Sequence, residues 1–393
     1  MSSSSYVLAG ARTPIGRFLG GLSSFPATEL GSLAIGEALN RSELTASDVN
    51  EVIMGNILSA GLGQAPARQA AMGAGIPASV GALTINKMCG SGLKAVMLAD
   101  QVIRAGDANV IVAGGMECMS RAPHLMTGQR EGWKFGHQQV LDHMIHDGLW
   151  CPFEDSAMGD EADYIAESRS VSREDQDQFA LESQRRAVDA AESGVFDCEI
   201  TPVTVKSRKG ETVIHRDEGP RANTTLEQLA GLRPAFSKDG TVTAGNASQL
   251  SDGAAAVVVA DQSTAAKSSS PFKVRIVASA TSGVEPKEIF IAPVSAIEMV
   301  LEKAQMSLTD IDLIELNEAF AAQCIACMRP LEMDPAKVNV HGGGIALGHP
   351  IGASGARVLV TLMYALEARD LKRGLVSLCL GGGNAVAMIV ERD

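Results

Sequence analysis

The feature that most constrains this chain is a repeat of its own first hundred residues near its other end. Ala34-Ile35 and Leu39 recur as Ala296-Ile297 and Leu301, and Asp48-Val49 recurs as Asp310-Ile311, all at an offset of 262. Ser91-Gly92-Leu93-Lys94 returns as Ser354-Gly355-Ala356-Arg357 at 263. A nearly fixed offset carried across several elements marks a duplicated fold, which says more than any single motif. Two copies of one fold pack about a pseudo-twofold axis, and that places their equivalent loops on one face.

Each copy alternates strand and helix. In the first, 6–11 reads as a strand, 28–40 as a helix with Leu30, Leu33, Ala34 and Leu39 on one face, and 49–58 as a strand. A turn at Cys89-Gly90-Ser91-Gly92 then opens an apolar helix ending near Gly106, and a strand follows at 109–113. In the second, strands at 272–279 and 310–316 flank a helix at 294–305. A helix at 354–366 and a final strand at 375–378, running into Gly381-Gly382-Gly383, complete it. This alternation places the chain in the α/β class, with a mostly parallel sheet covered by helices. The stretch between the copies is too long for a connection and richer in charge, Met and His. One helix (175–192) and short strands near 200–216 stand out in it, and Lys206, Arg208, Lys209 and Arg221 give it a basic character. The segment 241–260 returns to the core. The division expected is 1–118 plus 246–268 for the first half, 119–245 for an inserted loop domain, and 269–393 for the second half.

A formal charge of −13 argues against nucleic-acid and anionic-membrane partners. No apolar run reaches membrane-spanning length, and four serines before Tyr6-Val7-Leu8 do not read as a signal peptide. Seven cysteines without framework spacing point to a reducing compartment, so the expected location is the cytoplasm.

Four stretches in the repeat carry chemistry-bearing residues. Cys89 stands at the start of a buried helix, where the peptide dipoles favour a thiolate. His349 lies between Gly348 and Pro350 in the glycine-rich stretch 339–355, and Cys379 sits at a strand end beside three glycines. Asn317-Glu318-Ala319-Phe320 follows a strand, where parallel sheets meet their ligands. A cysteine nucleophile needs a base such as imidazole, and a second cysteine beside glycine N–H groups can move a proton while those amides hold an oxyanion. Singly, each residue has a structural reading: a core cysteine, a hydrogen-bonded histidine, packing glycines. Their conjunction at one edge of a duplicated fold favours catalysis. Cys324-x-x-Cys327 lacks a second pair, and His143-x-x-His146 lacks a metal partner and reads as surface.

These stretches, NKMCGSGLKAV, GGMECMSRAPH, LRPAFSKDGTVTAGNAS, NEAFAAQ, GGGIALGHPIGASGAR and SLCLGGG, together resemble the thiolase family over essentially the whole length. The resemblance implies a five-layered α/β/α/β/α thiolase fold with a loop domain that binds coenzyme A, and a homodimer or, more often, a homotetramer. It implies Cys89 as the acyl-carrying nucleophile, His349 as its activator, and Cys379 as the group that moves the α-proton of a second acetyl-CoA. Asn317, through a water, would join His349 in one oxyanion hole, and the N–H groups of Cys89 and Gly381 would form the other. Leu149, Met158, Arg221, Phe236, Ala244, Ser248, Ala319 and Phe320 fall at positions that contact coenzyme A or the acyl group. No metal or other cofactor is implied; acetyl-CoA, acetoacetyl-CoA or another 3-ketoacyl-CoA, and CoA itself, are substrates.

The chain departs from the short-chain pattern at Ala157 (a histidine there), Ile289 (methionine), His341 (an amide) and Asn384-Ala385 (glycine). These bear on acyl length and leave the reaction untouched. The expected reaction is reversible condensation of two acetyl-CoA to acetoacetyl-CoA and CoA. The alternatives are a degradative 3-ketoacyl-CoA thiolase of broader chain length and, more remotely, a non-catalytic lipid-binding protein, against which Cys89 stands. A ketosynthase is disfavoured by Cys379.

Overall fold

The computed structural model describes residues 4–208, 210–270 and 272–392; Lys209 falls outside them. The first half contributes strands β1 (Ser5–Arg12), β2 (Glu51–Gly55), β3 (Gly81–Ile85), β4 (Val110–Cys118) and β5 (Ser251–Asp261). The second contributes β6 (Val274–Gly283), β7 (Leu313–Leu316), β8 (Arg373–Leu380) and β9 (Asn384–Arg392). Their order in space is β7-β8-β9-β6-β1-β5-β4-β2-β3, so the two copies meet at β1 and β6. That junction is short: only Tyr6 opposite Arg275 and Val7 opposite Val274. Register repeats as well as order, since Ile53 faces Ala113 in one half and Glu315 faces Val376 in the other. Where β3 pairs with β2, the second half has only a parallel bridge from Val338 to Ile314.

The sheet is mixed, which corrects the expectation of a mostly parallel one. β2, β3 and β4 run parallel, as do β7 and β8, but β5 and β9 are antiparallel to both their neighbours. The strand at 373–380 is also not the last. Gly382 and Gly383 adopt φ of 81° and 79°, so the three glycines form a tight loop that returns the chain along β8 as β9. Read as a phosphate cradle or an oxyanion element alone, this loop hides its hairpin geometry.

Helices α1 (Ala27–Ser42) and α2 (Pro66–Gly73) cover the outer face of the first half, and α6 (Ala292–Ala304) covers that of the second. Leu30, Ala34, Ile35, Ala38 and Leu39 of α1 are buried against β5 and β4, whereas Leu33 is exposed; the burying face runs i, i+4, i+8. Between the halves lie α3 (Ser91–Ala105) and α8 (Ser354–Ala368), packed among inward residues of both, such as Val257 and Met388. A Cβ on Gly92 would sit 2.6 Å from Ala356 N, and one on Gly355 would sit 2.3 Å from Leu93 N. The repeated glycines therefore let the two central helices touch backbone to backbone. Layers run helix, sheet, paired helices, sheet, helix.

Residues 119–245 carry α4 (Met158–Ser168), α5 (Arg173–Glu192) and a hairpin of Val203–Ser207 with Gly210–Ile214. Fully buried Arg12 ties this segment down, donating to Glu199 Oε1 at 2.6 Å and to both Asp217 oxygens at 2.7 and 2.9 Å. Removing one partner of so buried a pair leaves an uncompensated charge, which costs about 3–5 kcal/mol. His143 is buried, not superficial: it accepts from Ala60 N and contacts Asp147. No helix among the described residues is long and apolar enough to cross a membrane.

Candidate active site

Cys89 stands two residues ahead of the first helical residue of α3. Met88 before it takes φ of 47°, an uncommon backbone state for a side-chain-bearing residue, and Ser91 Oγ pins the bend by donating to Met88 O at 2.6 Å. Gly90 after it fits against β8: a Cβ there would lie 2.2 Å from Leu380 Cδ2. The absence of that Cβ lets the Cys89 turn reach the strand end that carries Cys379. His349 enters from the glycine-rich loop preceding α8, its N–H donating to Gln249 O at 3.1 Å. The three side chains share one cavity of about 60 Å³, walled by Met88, Leu149, Met158, Ile289, Phe290 and Phe320 among others.

His349 Nδ1 lies 2.6 Å from Ser354 Oγ, and its Nε2 lies 3.5 Å from Asn317 Nδ2. Asn317 Oδ1 is buried and has no hydrogen-bond partner among the described residues. Burial, and then the nearby Arg357 charge, lowers His349 to about 3, so its resting imidazole is neutral. Cys89 is half-buried, but its open side faces the cavity. Burial, with a further push from the Glu117 carboxylate, raises its thiol to about 12 despite a favourable backbone hydrogen bond. Desolvation thus works against the dipole-stabilised thiolate expected from its place at a helix start. Burial, then the neighbouring Cys89 and Cys327, holds Cys379 well above the usual thiol range. Two neutral thiols and a neutral imidazole form a site in which charge appears only as a proton is passed.

Gly381, Ser248, Ala319, Leu149, Met158 and Phe320 join these residues in the cavity wall. Asn317 stands behind the wall against His349. Phe320 is held edge-on by Phe290 at 5.1 Å and by Phe236 at 6.3 Å. Phe236 itself is 42% exposed and lies over Gly159, outside the wall; Arg221 and Ala244 are exposed as well. Sequence reasoning missed Ser354 as the histidine's partner, Phe290 and Ile351 in the wall, and Glu117 holding the His349 loop at Gly352. Only Glu117 left a trace: a lone charge at the end of the apolar run VIVAGGMEC. Cys324 and Cys327 are buried on helix α7 (Ala321–Met328), and the described residues hold no cluster of three or more His, Cys, Asp or Glu able to take a metal.

Two family models match, the thiolase N-terminal domain over residues 5–263 and the thiolase C-terminal domain over 270–392. An acetyl-CoA acetyltransferase of Pseudomonas aeruginosa is 54% identical over 388 residues, covering 98% of this chain and 99% of that protein. One from Escherichia coli is 51% identical over 98% of both, and a probable acetyl-CoA acyltransferase of Staphylococcus aureus is 50% identical over 98% of both. The crystal structure of the Bacillus anthracis acetyl-CoA acetyltransferase superposes with a TM-score of 0.98 at 42% identity, covering 100% of this chain and 99% of that one. With both halves matched and relatives aligned from end to end, the chain belongs to the thiolase family.

Proposed function

We propose that this protein is an acyltransferase that moves an acyl group between coenzyme A and Cys89, and that its reaction is the reversible condensation of two acetyl-CoA to acetoacetyl-CoA and CoA. The observation that carries this is the convergence of Cys89, His349 and Cys379 on one cavity. Names carried by relatives at 50–54% identity support it.

In the first half-reaction His349 Nε2 takes the Cys89 proton as sulfur attacks the thioester carbon; the bond to CoA sulfur breaks and the proton passes to that leaving group. In the second, His349 takes the Cys379 thiol proton, the Cys379 thiolate accepts an α-proton from another acetyl-CoA, and the resulting carbon nucleophile attacks the acyl-Cys89. A carbon–carbon bond forms, the Cys89 thioester breaks, and the protonated His349 returns its proton to Cys89. The orphaned Asn317 Oδ1 supports a water held beside His349 Nε2 as one oxyanion contact, with the N–H groups of Cys89 and Gly381 proposed as the other. Leu149, Met158, Ala319, Phe320 and Ser248 would meet the acyl end, and exposed Arg221, Phe236 and Ala244 the longer body of coenzyme A. As drawn, the steps need no metal or added cofactor. A homotetramer, or at least a homodimer, working in the cytoplasm is part of the same reading.

A broader 3-ketoacyl-CoA thiolase is the second reading, favoured by Ile289 and Ala157 where bulkier groups stand in the short-chain pattern. Intact-protein mass spectrometry after mixing with acetyl-CoA tests the common step. One acetyl adduct is expected, absent in Cys89→Ala; an adduct that survives in that variant and maps elsewhere removes Cys89 from the mechanism.

A further inference from the structure

The loop bearing His349 is fastened on both sides by buried carboxylates. On the upstream side Glu318 accepts from Ile345 N at 3.2 Å, Ser183 Oγ at 2.6 Å and Asn339 Nδ2 at 2.9 Å. On the downstream side Glu117 accepts from Gly352 N at 3.0 Å, and also from Asn56 Nδ2 at 2.9 Å and the N–H groups of Ile57 and Leu58, each at 3.1 Å. Both side chains are at most 1% exposed. The Glu117 contact is also sterically tight: a Cβ on Gly352 would come within 2.7 Å of Glu117 Oε2. His349 is bracketed, four residues after one anchored amide and three before the other.

Every partner of Glu117 is a donor. A protonated carboxyl would turn an O–H toward one of these N–H groups, so the contacts select the ionised form. Burial raises Glu117 to about 7, while the three backbone N–H groups pull the other way.

We propose that Glu117 and Glu318 are positioning residues that clamp the His349 loop from its two sides, a role that rests on the acyltransferase reading.

The test compares Glu117→Gln and Glu318→Gln in the full chain. Each Gln puts an NH₂ against a donor and loosens one side of the loop. Acetoacetyl-CoA thiolysis should lose kcat by about tenfold to a hundredfold, with KM changed far less, as a misplaced catalytic group does. Alkylation of Cys89 by iodoacetamide, followed by peptide mass spectrometry, checks that the nucleophile stays accessible in both variants. Wild-type kcat in a folded variant of either kind overturns the clamp. If Glu117→Gln does not fold, Asn56→Ala removes one of its four donors; a wild-type kcat there overturns the Glu117 side. A wild-type protein that alkylates at Cys89 but shows no thiolysis would instead refute the proposed reaction.

Discussion

His349 Nδ1 and Ser354 Oγ lie 2.6 Å apart, and the same hydroxyl donates to Pro350 O at 2.9 Å. A hydroxyl has one proton to give. With that proton committed to the Pro350 carbonyl, His349 must donate from Nδ1, which leaves Nε2 unprotonated toward Asn317 and the cavity. The serine thus selects the tautomer that a base for Cys89 requires.

Ser354→Ala should therefore lower kcat for thiolysis by about tenfold to a hundredfold, less than the 10²–10⁴ typical of losing a general base itself. The backbone bond from Ser354 N to Pro350 O survives the substitution, so the melting temperature should move little. A kcat within twofold of wild type, measured at saturating acetoacetyl-CoA, would show that the imidazole needs no such partner.

Cys379→Ser separates proton transfer from acyl attachment. The variant should still form the acetyl adduct on Cys89, yet lose condensation and thiolysis by about 10²–10⁴-fold. The measurement pairs intact mass with steady-state rates. Near-normal turnover, or loss of the adduct, contradicts the assigned role.

Chain length follows from the cavity wall. Phe320, clasped between Phe290 and Phe236, and Met158 in the same wall crowd the space beyond a short acyl group. For thiolysis of 3-ketoacyl-CoA from four to ten carbons, kcat/KM should be highest at four and fall thereafter. An open pocket would instead gain about 0.8 kcal/mol, or roughly fourfold, per buried methylene. A steady climb along the series would move this protein to the broader degradative reading. Phe320→Leu should shift the optimum to longer chains.

His341 offers a stability test away from the chemistry. Burial, then the Arg369 charge, lowers its imidazole to about 4 from the ordinary 6.5. The unfolded chain therefore binds this proton first, and folding stability is lost as pH falls from 6.5 towards 4. A shift of that size is worth at most about 3 kcal/mol. His341→Asn, which restores the amide of the short-chain pattern, should gain melting temperature relative to wild type at pH 4.5 compared with pH 7.5. An equal difference at both pH values would show that His341 is not held neutral by the fold.

The repeat in the sequence determined the architecture, because a 262–263 residue offset that preserves strand, helix and glycine positions forces two similar halves to bury their equivalent apolar faces together. Spacing and resemblance likewise named Cys89, His349 and Cys379, since these sit where their segments must turn. Strand direction was not legible: β5 and β9 are continuous apolar runs, and a buried strand has the same composition whichever way it runs. Nor was the ionisation of Cys89. A helix start argues for a thiolate, but the balance depends on how much water the walls exclude and on a carboxylate 28 positions away in the chain. Ser354 and Glu117 were silent for the same reason: a hydrogen bond across the fold leaves no periodicity in the sequence, and only packing brings donor and acceptor within reach.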